Sequence, residues 1–594
     1  MSREFNDATR QELERICSRY PKREAALLPA LRLLEREFGC VDEDGMVQVA
    51  KLLGVSPAKV FGVFTFYTHY RRPSDRKYVV EVCSTVPCAL RGSGKIHDHL
   101  KAIVRPEDPI TLKKAECIAS CDTAPCLQAN GEFLDFVTPE TCDRMVAEMR
   151  AGTWKAPVPE FKVPKHKYPP VLLRHVLEPG SHTLEHYLAR GGYQTWNQVR
   201  ESKPDPETVL VEEVFKSGLR GRGGAGFSTG QKWKFLAKND KPRYLVCNAD
   251  ESEPGTFKDK LLIDKDPHAV LEGILISAYA IRSKDAYIYI RGEFVPGAKV
   301  LQKAIEDAEA KGLFGNIRVT LHRGAGAYIC GEETGLLSSL EGNRGYPKIK
   351  PPFPAVEGLF RCPTIVNNVE TLATVTHIIK NGAAWFRGMG TEKSPGMKIF
   401  SVCGHVERPG NYEIPLGVPL KELIYDLAGG VRGGKKLKAV VPGGLSAPVV
   451  TAAEVHADPP LRMDFDSLAA ARTMLGSGGV IVIDEDACMV DVLWNTLRFY
   501  HHESCGQCTP CREGTGWIEK ISARMEQGKG RLDEISKLDE IAWGMCGRTI
   551  CVLADAAALP TRSIVTKFRP EFEAHVNGKA CPLKHGSVKE LVHA

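Results

Sequence analysis

The chain has 594 residues, too many for one hydrophobic core, so its length predicts three or four domains. Hydrophobic residues make up 43% and charged residues 26%, and the net charge of +6 comes from scattered basic residues, which gives no reason to expect a nucleic-acid partner. The sequence contains no apolar run of about 18 residues and begins with a charged, polar segment, so we expect a cytoplasmic protein without direct membrane insertion.

Cysteine is the unusual component of the composition. The 19 cysteines are an odd number in a large chain with no export signal, which favours metal binding over a disulfide framework. Cys247, Cys403 and Cys488 each stand alone in an apolar run, and we interpret them as small core residues.

The first cysteine set follows the strand-like run KYVVEVC. Cys83 and Cys88 form C-x4-C, and Cys117 and Cys121 form C-x3-C in KKAECIASCDTAPC. Two separated pairs suit a [2Fe–2S] cluster, with two thiolates to each iron, and suit tetrahedral zinc equally well. The spacing assigns no role to Cys126.

A glycine-rich stretch, GLRGRGGAGFSTGQKW, follows further along the chain. It contains G-x-G-x-x-G at Gly221, Gly223 and Gly226, but the preceding segment PETVLVEEVFKSGL predicts an amphipathic helix, whereas the dinucleotide fingerprint must follow a strand. Glycines still let backbone N–H groups approach phosphates. Basic and aromatic side chains that suit a phosphate and a stacked ring are Arg220, Arg222, Lys232, Phe227, Trp233 and Phe235.

Two polar stretches come after strand-like runs, where α/β folds place ligand-binding groups. They are NADESEPGTFKD (248–259) and GAGAYICGEETG (324–335). Glu332 and Glu333 suit ribose hydroxyls and would repel a 2′-phosphate. The alternative is a solvated helix N-terminus, where the helix dipole favours acidic residues.

The second cysteine set is ESCGQCTPCREGTGW, in which Cys505, Cys508 and Cys511 form C-x2-C-x2-C. This spacing favours a [4Fe–4S] cluster over zinc, because structural zinc sites draw their ligands in separated pairs. The fourth ligand is Cys546 or Cys551, in GMCGRTICVLADA, and spacing leaves that choice open. The helix-like segment from 516 to 543 is expected to form a hairpin that returns the chain to the cluster.

In order along the chain, the glycine-rich stretch, the two polar stretches, KPPFP, VNNVETL and the second cysteine set resemble the flavin-carrying, NADH-binding subunit of respiratory complex I. This resemblance covers about residues 171–576. The segments YPKREAALLPALRLLEREFG and FGVFTFYTHY, with the first cysteine set, resemble the thioredoxin-like [2Fe–2S] subunit of that complex. The chain thus resembles two subunits of NADH-quinone oxidoreductase fused through the Pro/Lys-rich stretch Lys155–Pro170, which we expect to be a semi-rigid linker.

The resemblance implies a multidomain α/β architecture. It comprises a thioredoxin-like [2Fe–2S] domain with N-terminal helices (1–160), a flavin-binding α/β domain that is not a Rossmann fold (161–395), a ubiquitin-like β-grasp domain of the soluble-ligand-binding type (396–484), and a helical bundle with the [4Fe–4S] cluster (485–576). A tail (577–594) completes the chain.

The resemblance also implies the cofactors and the residues that bind them. FMN would lie against Gly221, Gly223, Lys232, Asn248, Asp250, Tyr328, Gly331, Glu332, Asn367, Asn368 and Thr371, and NADH over it against Phe227, Phe235, Glu253, Glu333, Lys350 and Phe353. The cofactor-binding set further includes Arg222, Gly224, Gly226 and Glu251. The [2Fe–2S] ligands would be Cys83, Cys88, Cys117 and Cys121. The [4Fe–4S] ligands would be Cys505, Cys508, Cys511 and Cys551, the last chosen over Cys546 because TICVLAD corresponds to the ligand motif of the family.

The implied function is electron input from NADH. Hydride passes to FMN, and single electrons then pass to the [4Fe–4S] cluster and onward to the large multi-cluster iron–sulfur subunit and quinone, with the [2Fe–2S] cluster at the side. No side chain is expected to act as catalytic acid or base. The other peripheral-arm subunits are the expected partners, at the inner face of the cell membrane.

Three alternatives are weighed at this point. Electron-bifurcating hydrogenase subunits usually append a ferredoxin-like cysteine set after the bundle, whereas this chain has only Cys581 there. The same fused layout occurs in the diaphorase subunit of NAD-linked hydrogenases and in related formate dehydrogenases, although the four N-terminal cysteines and the GEET segment favour complex I. A zinc-stabilised scaffold without redox activity would explain the cysteines but not the flavin motifs.

Overall fold

The computed structural model describes residues 4–583 and begins with four helices, α1 (Asp7–Cys17), α2 (Leu27–Phe38), α3 (Glu43–Leu53) and α4 (Pro57–Phe66). Local sequence sets their ends. The Asp42 side chain accepts a hydrogen bond from the Gly45 amide at the start of α3, and Gly54, with a φ of +70°, ends that helix in the left-handed conformation.

A four-stranded sheet follows, formed by β1 (Tyr78–Cys83), β2 (Ile110–Ala115), β3 (Leu127–Ala129) and β4 (Glu132–Leu134). The order is β2-β1-β3-β4, with β1 and β2 parallel and the other pairs antiparallel. Helices α5 (Val86–Leu90), α6 (Ser93–Ile103) and α7 (Pro139–Ala151) complete this unit, which has a hydrophobic core of its own.

The next sheet consists of four parallel strands, β5 (Tyr244–Ala249), β6 (Asp285–Ile290), β7 (Arg318–Arg323) and β8 (Thr364–Asn368), in the order β7-β6-β5-β8. Its helices are α8 (Leu184–Ala189), α9 (Gln194–Ser202), α10 (Glu212–Ser217), α11 (Thr229–Lys234), α12 (Lys258–Lys265), α13 (Pro267–Ala280), α14 (Val295–Ala310), α15 (Glu333–Leu340), α16 (Pro354–Glu357), α17 (Val369–Asn381) and α18 (Ala383–Arg387). A π-helical turn, Pro206–Val211, leads directly into α10, so the helix predicted before the glycine-rich stretch is confirmed.

A five-stranded mixed sheet comes third, with β9 (Met397–Gly404), β10 (Gly410–Pro415), β11 (Leu437–Val441), β12 (Val450–Thr451) and β13 (Gly479–Asp484). The order is β10-β9-β13-β11-β12, and its central pair, β9 and β13, is parallel. Short helices α19 (Leu420–Glu422), α20 (Ala452–Val455) and α21 (Phe465–Ala470) accompany this sheet, which has a separate core.

The last region is helical, with α22 (Met489–Glu503), α23 (Thr509–Glu526), α24 (Leu532–Met545), α25 (Leu553–Lys567) and α26 (Arg569–Gly578). Helices α23 and α24 form the hairpin that the sequence predicts after the second cysteine set. The tail expected from the sequence falls mainly on residues 584–594, which lie outside the described residues.

The amino-terminal helices share one continuous core with the parallel sheet and the helical bundle. Tyr20 Oη and His322 Nδ1 lie 2.8 Å apart, and the Tyr67 hydroxyl donates to Ser339 Oγ at 2.6 Å. By contrast, residues 152–183 contain no helix or strand, and Val158 in this stretch is 92% exposed.

Within residues 4–583, no single helix has the length and apolar composition needed to cross a membrane. Glu43–Leu53 and Pro57–Phe66 meet that criterion only jointly, as a pair bent by 119°.

Candidate functional site

Several of the predicted cofactor-binding residues, though not the Arg222 and Glu251 side chains, lie where the order of the parallel sheet reverses. Strands β5 and β8 are neighbours, and their ends place Asn248 beside Asn368. The chain leaves β5 for β6 on one side, whereas β8 lies on the other side, so the carboxyl ends of β5 and β8 flank a crevice. Open α/β sheets bind ligands at such a switch point.

The glycine-rich loop lies against this crevice. A Cβ atom at Gly223 would come within 3.0 Å of the Asn368 Cβ, and the Arg222 amide donates to Thr371 Oγ1 at 2.8 Å. Gly226 has a φ of +64°, and a Cβ there would lie 2.3 Å from the Phe465 ring, so only glycine fits. Gly221 donates its amide to the Phe227 carbonyl at 2.8 Å.

The loop precedes β5 and follows α10, which confirms that it is not the strand–helix turn of a dinucleotide fold. Gly224, with a φ of +140°, continues the positive-φ backbone of the loop. The backbone is therefore exposed to close approach by a phosphate without the Rossmann geometry.

Arg222 holds the loop from behind. Its guanidinium is buried and donates to the carbonyls of Pro395 and Met397 at 3.2 and 2.9 Å, while its Nε and Nη1 atoms have no hydrogen-bond partner in the described part of the chain. Burial lowers the pKa of Arg222 to about 10. The side chain predicted to supply charge to the cofactor thus points toward the start of β9.

Three aromatic rings face the solvent at the mouth of the crevice. Phe227, Phe235 and Phe353 are 50%, 55% and 57% exposed, and the rings of Phe227 and Phe235 lie 6.2 Å apart. Exposed large apolar rings beside a polar crevice are suited to stacking. Trp233, also proposed from the sequence as a platform, is instead buried, and its Nε1 donates to Asn367 Oδ1 at 2.9 Å.

Two glutamates and two lysines form a charge quartet beside the rings. Lys232 Nζ lies 2.8 Å from Glu333, and Lys350 Nζ lies 2.8 Å from Glu333 and 3.0 Å from Glu332. Although burial opposes ionisation, the two lysines hold the pKa of Glu333 at about 2, so this carboxylate is charged near neutral pH.

The geometry supports the helix-terminus interpretation for Glu332, and the ribose interpretation stays a prediction. Glu332 is the N-cap of α15, since one of its oxygens accepts from the amides of Thr334 and Gly335 at 2.8 and 3.0 Å. Glu333 makes no such capping bond and belongs to the first turn. Glu333 is therefore the better placed of the two to act on a ligand.

The acidic loop after β5 divides its side chains between the crevice and the protein interior. Asn248 Nδ2 donates to the Gly331 carbonyl at 2.9 Å, and burial raises the pKa of Asp250 to about 7. Glu251 instead accepts from the amides of Asp259 and Lys260 at 2.8 and 2.9 Å. The Glu251 carboxylate therefore points away from the crevice, and its hydrogen bonds stabilise the start of α12.

A hydrogen-bond chain connects this loop to the bundle. The Tyr328 hydroxyl donates to Glu253 Oε2 at 2.6 Å, its amide donates to Glu503 Oε2 at 2.8 Å, and the Ser446 amide donates to Glu253 Oε1 at 2.7 Å. The Phe499 ring packs 5.1 Å from the Tyr328 ring. Glu503, which no sequence motif indicated as a site residue, is the last residue of α22.

A buried ionic network, also missed from the sequence, supports the floor of the crevice. Lys258 Nζ lies 2.7 Å from Asp259 and 2.9 Å from Glu370, and Lys398 Nζ lies 3.5 Å from Glu370. Asn368 Nδ2 donates to Asp259 at 2.6 Å, which fixes its orientation. The only sequence signal was the presence of charged residues inside NADESEPGTFKD and VNNVETL.

In the second cysteine set, Cys505 and Cys508 lie in the turn between α22 and α23, and Cys511 lies in the first turn of α23. The Ile550 amide donates to Cys508 Sγ at 3.4 Å, which brings the adjacent Cys551 to the same turn. Burial raises the pKa of Cys551 to about 12, with Cys505 and Cys511 adding to the shift. Burial raises the pKa of Cys546 as well, but the charged side chains that add to the shift are Asp555, Asp539 and two arginines, and no cysteine of the second set is among them. The geometry favours Cys551 as the fourth ligand.

The first cysteine set is buried at the end of β1. The sulfurs of Cys117 and Cys121 lie 3.5 Å apart, and bonds from Cys117, Cys126 and Cys88 hold the pKa of the Cys83 thiol well below its ordinary value. Two thiolates on one tetrahedral metal lie about 3.8 Å apart, so this spacing fits a cluster.

Cys126, unassigned from the sequence, lies within this first set. Its sulfur is 3.5 Å from that of Cys88, and the sulfurs of Cys83, Cys88 and Cys126 all lie within 4.8 Å of one another. The set therefore contains one thiol more than a [2Fe–2S] cluster needs.

Direct contacts join the first cysteine set to the other parts of the site. The buried Arg291 donates to the Glu251 carbonyl at 2.6 Å and to the Cys117 carbonyl at 2.7 Å. Asn495 and Arg498, on α22, both donate to the Ser84 carbonyl at 2.8 Å. The crevice and both cysteine sets thus meet around α22.

Four family models match the chain in succession. They are the thioredoxin-like [2Fe-2S] ferredoxin (residues 13–150), the Nuo51 FMN-binding domain (214–377), the SLBB domain (398–482) and the NADH-ubiquinone oxidoreductase-F iron-sulfur binding region (491–575). These matches confirm the predicted fold class.

Among solved structures, an NAD+-reducing [NiFe]-hydrogenase in the air-oxidised state is similar, with a TM-score of 0.81 at 30% identity over 93% of each chain. Among curated proteins, the NADH-quinone oxidoreductase F subunit of Mycobacterium bovis is 49% identical over 70% of this chain and 95% of its own length. The second F subunit of Rhizobium meliloti is 50% identical over 425 residues, 70% of this chain and 99% of its own. The chain therefore belongs to the family of NADH-quinone oxidoreductase F subunits and carries a thioredoxin-like [2Fe–2S] domain fused ahead of the region that these relatives match.

Proposed function

We propose that this chain oxidises NADH in the crevice between β5 and β8 and passes the electrons through its two cysteine sets to partner iron–sulfur subunits and quinone. The family assignment supports NADH oxidation by an FMN- and iron–sulfur-containing module. The observation that carries the proposal is that the glycine loop lies against the crevice, while Tyr328 beside this crevice contacts α22 and α22 in turn contacts the first cysteine set.

The residues present fit the cofactors that the family domains indicate. The positive-φ glycines expose backbone to a phosphate, the unpartnered Arg222 atoms add positive charge behind it, and the exposed phenylalanines offer stacking faces. FMN, when bound, accepts two electrons as hydride and releases electrons singly.

Each group of side chains has a separate task in this proposal. The residues predicted to lie against FMN orient its ring system at the switch point. Among them, Asn248 is held in place by the Gly331 carbonyl and Asn368 by Asp259. Lys232 and Lys350 hold Glu333 ionised. In this proposal the Glu333 carboxylate faces the ribose of NADH, and its negative charge disfavours a 2′-phosphate. Hydride transfer itself requires no side chain as acid or base.

The two cysteine sets have separate positions in the proposed path. Cys505, Cys508, Cys511 and Cys551 would hold the [4Fe–4S] cluster, next to Glu503 and the Tyr328 chain that leads from the crevice. Cys83, Cys88, Cys117 and Cys121 would hold the [2Fe–2S] cluster on the other side, where Arg291 contacts Cys117.

The proposed docking surface for the next electron carrier lies beside the second cysteine set. Val552, adjacent to Cys551, is 71% exposed, and Trp517 and Trp543 are 54% and 59% exposed. Exposed aromatic and aliphatic side chains of this size are typical of interfaces. We infer that the large multi-cluster iron–sulfur subunit binds here, within an assembly at the inner face of the cell membrane.

A second candidate is the diaphorase subunit of an NAD-linked hydrogenase or formate dehydrogenase. It is favoured by the similarity to the hydrogenase chain, which extends over 93% of this chain and so includes the fused domain, whereas the region matched by the F subunits covers 70%.

Purification of the tagged chain with its native partners separates the two candidates. We expect NADH-driven quinone reduction, FMN and partner iron–sulfur subunits in the preparation. Hydrogen- or formate-driven reduction of NAD+, with no quinone reduction, would overturn the proposal in favour of the diaphorase.

A variant tests the electron path within the isolated chain. Replacing Cys505, Cys508 and Cys511 together with serine should preserve flavin reduction by NADH but abolish transfer to the protein acceptor. Cys362→Ser, at a half-buried cysteine outside both sets, serves as the control. Unimpaired transfer in the triple variant would exclude the proposed path.

A further inference from the structure

We propose that Cys488, Glu526, His575 and Cys581 bind one zinc ion, at a site separate from both cysteine sets described above. One donor atom from each of these residues lies within 4.8 Å of the other three. The four residues come from the start of α22, the end of α23, α26 and the segment after α26, so the fold brings together donors distant in sequence.

The separations between donor atoms match a tetrahedral ion. Cys488 Sγ lies 3.3 Å from His575 Nε2 and 3.7 Å from Glu526 Oε2, and His575 Nε2 lies 3.4 Å from the same carboxylate oxygen. With Zn–S of about 2.3 Å and Zn–N or Zn–O of about 2.0–2.2 Å, tetrahedral geometry gives donor separations of about 3.4–3.6 Å. One ion thus satisfies all three measured separations.

The surrounding contacts orient the donors as they do in zinc proteins. His575 Nδ1 lies 2.7 Å from the Glu571 carbonyl and donates to it, so that in the neutral imidazole, the form that binds a metal, the Nε2 lone pair is directed at the cluster. Glu571 is fixed in turn, because its side chain accepts from the Met489 amide at 3.0 Å and pairs with Lys438 at 2.9 Å. Cys488 Sγ accepts from the Asp491 amide at 3.4 Å, which favours the thiolate.

Because the four donors are buried, a bound cation would offset the cost of ionising the thiols and the carboxyl group away from water. Cys488, His575 and Cys581 are 6%, 1% and 1% exposed, and the Glu526 side chain is 6% exposed. Without a cation, two buried thiols and a buried carboxyl group would be costly to ionise. Mixed sulfur, nitrogen and oxygen ligands in a closed tetrahedral set are suited to zinc, whereas iron–sulfur clusters are held mainly by thiolates.

The position indicates a structural rather than an electron-carrying role. Cys488 precedes the 15-residue helix α22, and Cys505 follows its other end. At 1.5 Å per residue, about 22 Å of helix separates the two sites. The ion would fasten the segment that follows α26 to the start of α22, and so stabilise the bundle that carries the second cysteine set.

Metal analysis of the purified wild-type protein is the first test. We expect about one zinc per chain in addition to the cluster iron, and zinc K-edge spectroscopy should show two sulfur ligands with two nitrogen or oxygen ligands. A zinc content near zero, a Cys488–Cys581 disulfide in the purified chain, or zinc surrounded by four sulfurs, as expected for zinc bound at a cluster site, would overturn the proposal.

Variants provide the second test. Cys581→Ser and, independently, His575→Gln should lose most of the zinc while keeping the iron and FMN content, because the flavin crevice and both cysteine sets lie elsewhere. Cys362→Ser should keep the zinc. Retention of the full zinc content in both ligand variants would contradict the assignment, and the retained iron shows that the variants have folded.

Discussion

The preference for NADH over NADPH should depend on a single carboxylate, and Glu333→Gln removes its charge without changing its shape. In the structure Glu333 contacts both Lys232 and Lys350 at 2.8 Å, and Glu332 completes a quartet with two positive and two negative charges. The substitution leaves a net charge of +1 beside the exposed rings of the crevice. It also removes the carboxylate partner of Lys232, which can then pair with a 2′-phosphate, whereas Lys350 keeps its pair with Glu332.

The size of the effect follows from Coulomb's law. For a phosphate charge about 7 Å from the carboxylate and an effective dielectric constant of about 20, the repulsion is about 2 kcal/mol, or about 30-fold in binding. The Glu333 side chain is 21% exposed, so screening reduces this figure, and we expect a change of about 10- to 30-fold. Because the pKa of Glu333 is about 2, its charge, and hence the preference, should not vary between about pH 6 and 9.

The assay is the ratio of kcat/KM for NADPH to that for NADH, with ferricyanide as the electron acceptor. Glu357→Gln is a matched control, since this carboxylate lies on α16 and outside the quartet. The reasoning is refuted if Glu333→Gln leaves the ratio unchanged, or if the control shifts it equally, because Glu333 would then not face the ribose.

Three further predictions concern the supporting residues. Cys551→Ala should remove the [4Fe–4S] signal in electron paramagnetic resonance and lower the iron content from about six to about two per chain, whereas Cys546→Ala should spare both; the reverse pattern would identify Cys546 as the ligand. Burial raises the pKa of Asp250 from 3.8 to about 7, so the unfolded chain ionises first and the stability contribution of Asp250 falls as the pH rises from about 4 to about 7. Asp250→Asn should thus raise the thermal midpoint relative to wild type at pH 8 but not at pH 4, and a difference independent of pH would contradict this. Arg291→Lys should cost about 2–4 kcal/mol in thermal unfolding and shift the [2Fe–2S] potential, whereas Arg318→Lys, in a partly exposed pair, should change little; equal effects would exclude a special role for Arg291.

Features set by short stretches of chain were predictable from the sequence. The three cysteines of C-x2-C-x2-C lie in one short segment around the start of α23, and the helix ahead of the glycine-rich stretch showed that its G-x-G-x-x-G pattern did not follow a strand. The fourth cluster ligand, by contrast, could not be chosen from cysteine spacing. Cys546 and Cys551 both follow the α23–α24 hairpin, and contacts between distant segments, such as that between the Ile550 amide and Cys508, distinguish them in space.

Features that depend on distant partners were not predictable. Trp233 is an aromatic residue of the kind that forms a stacking platform, but it is buried against Asn367, because α11 turns its indole toward the sheet. Cys488 was interpreted as a core residue, and it is indeed buried. Its neighbours His575 and Cys581, however, are more than 80 positions away in the sequence, so no local pattern could show that its sulfur meets other donors.

The fused chain behaves as one folded unit because the amino-terminal helices, rather than the linker, hold the [2Fe–2S] domain against the flavin domain. Residues 152–183 form no helix or strand, so this stretch cannot fix an orientation by itself. Arg32 donates to the Gly324 carbonyl at 2.7 Å, and the amide of His69 donates to the Ala325 carbonyl at 2.9 Å, so α2 and the segment after α4 cover the loop that follows β7. Arg291 then fixes the backbone of Cys117 relative to the crevice. The position of the first cysteine set relative to the crevice is therefore fixed by these polar contacts, because breaking a buried hydrogen bond costs more free energy than an exposed tether can offset.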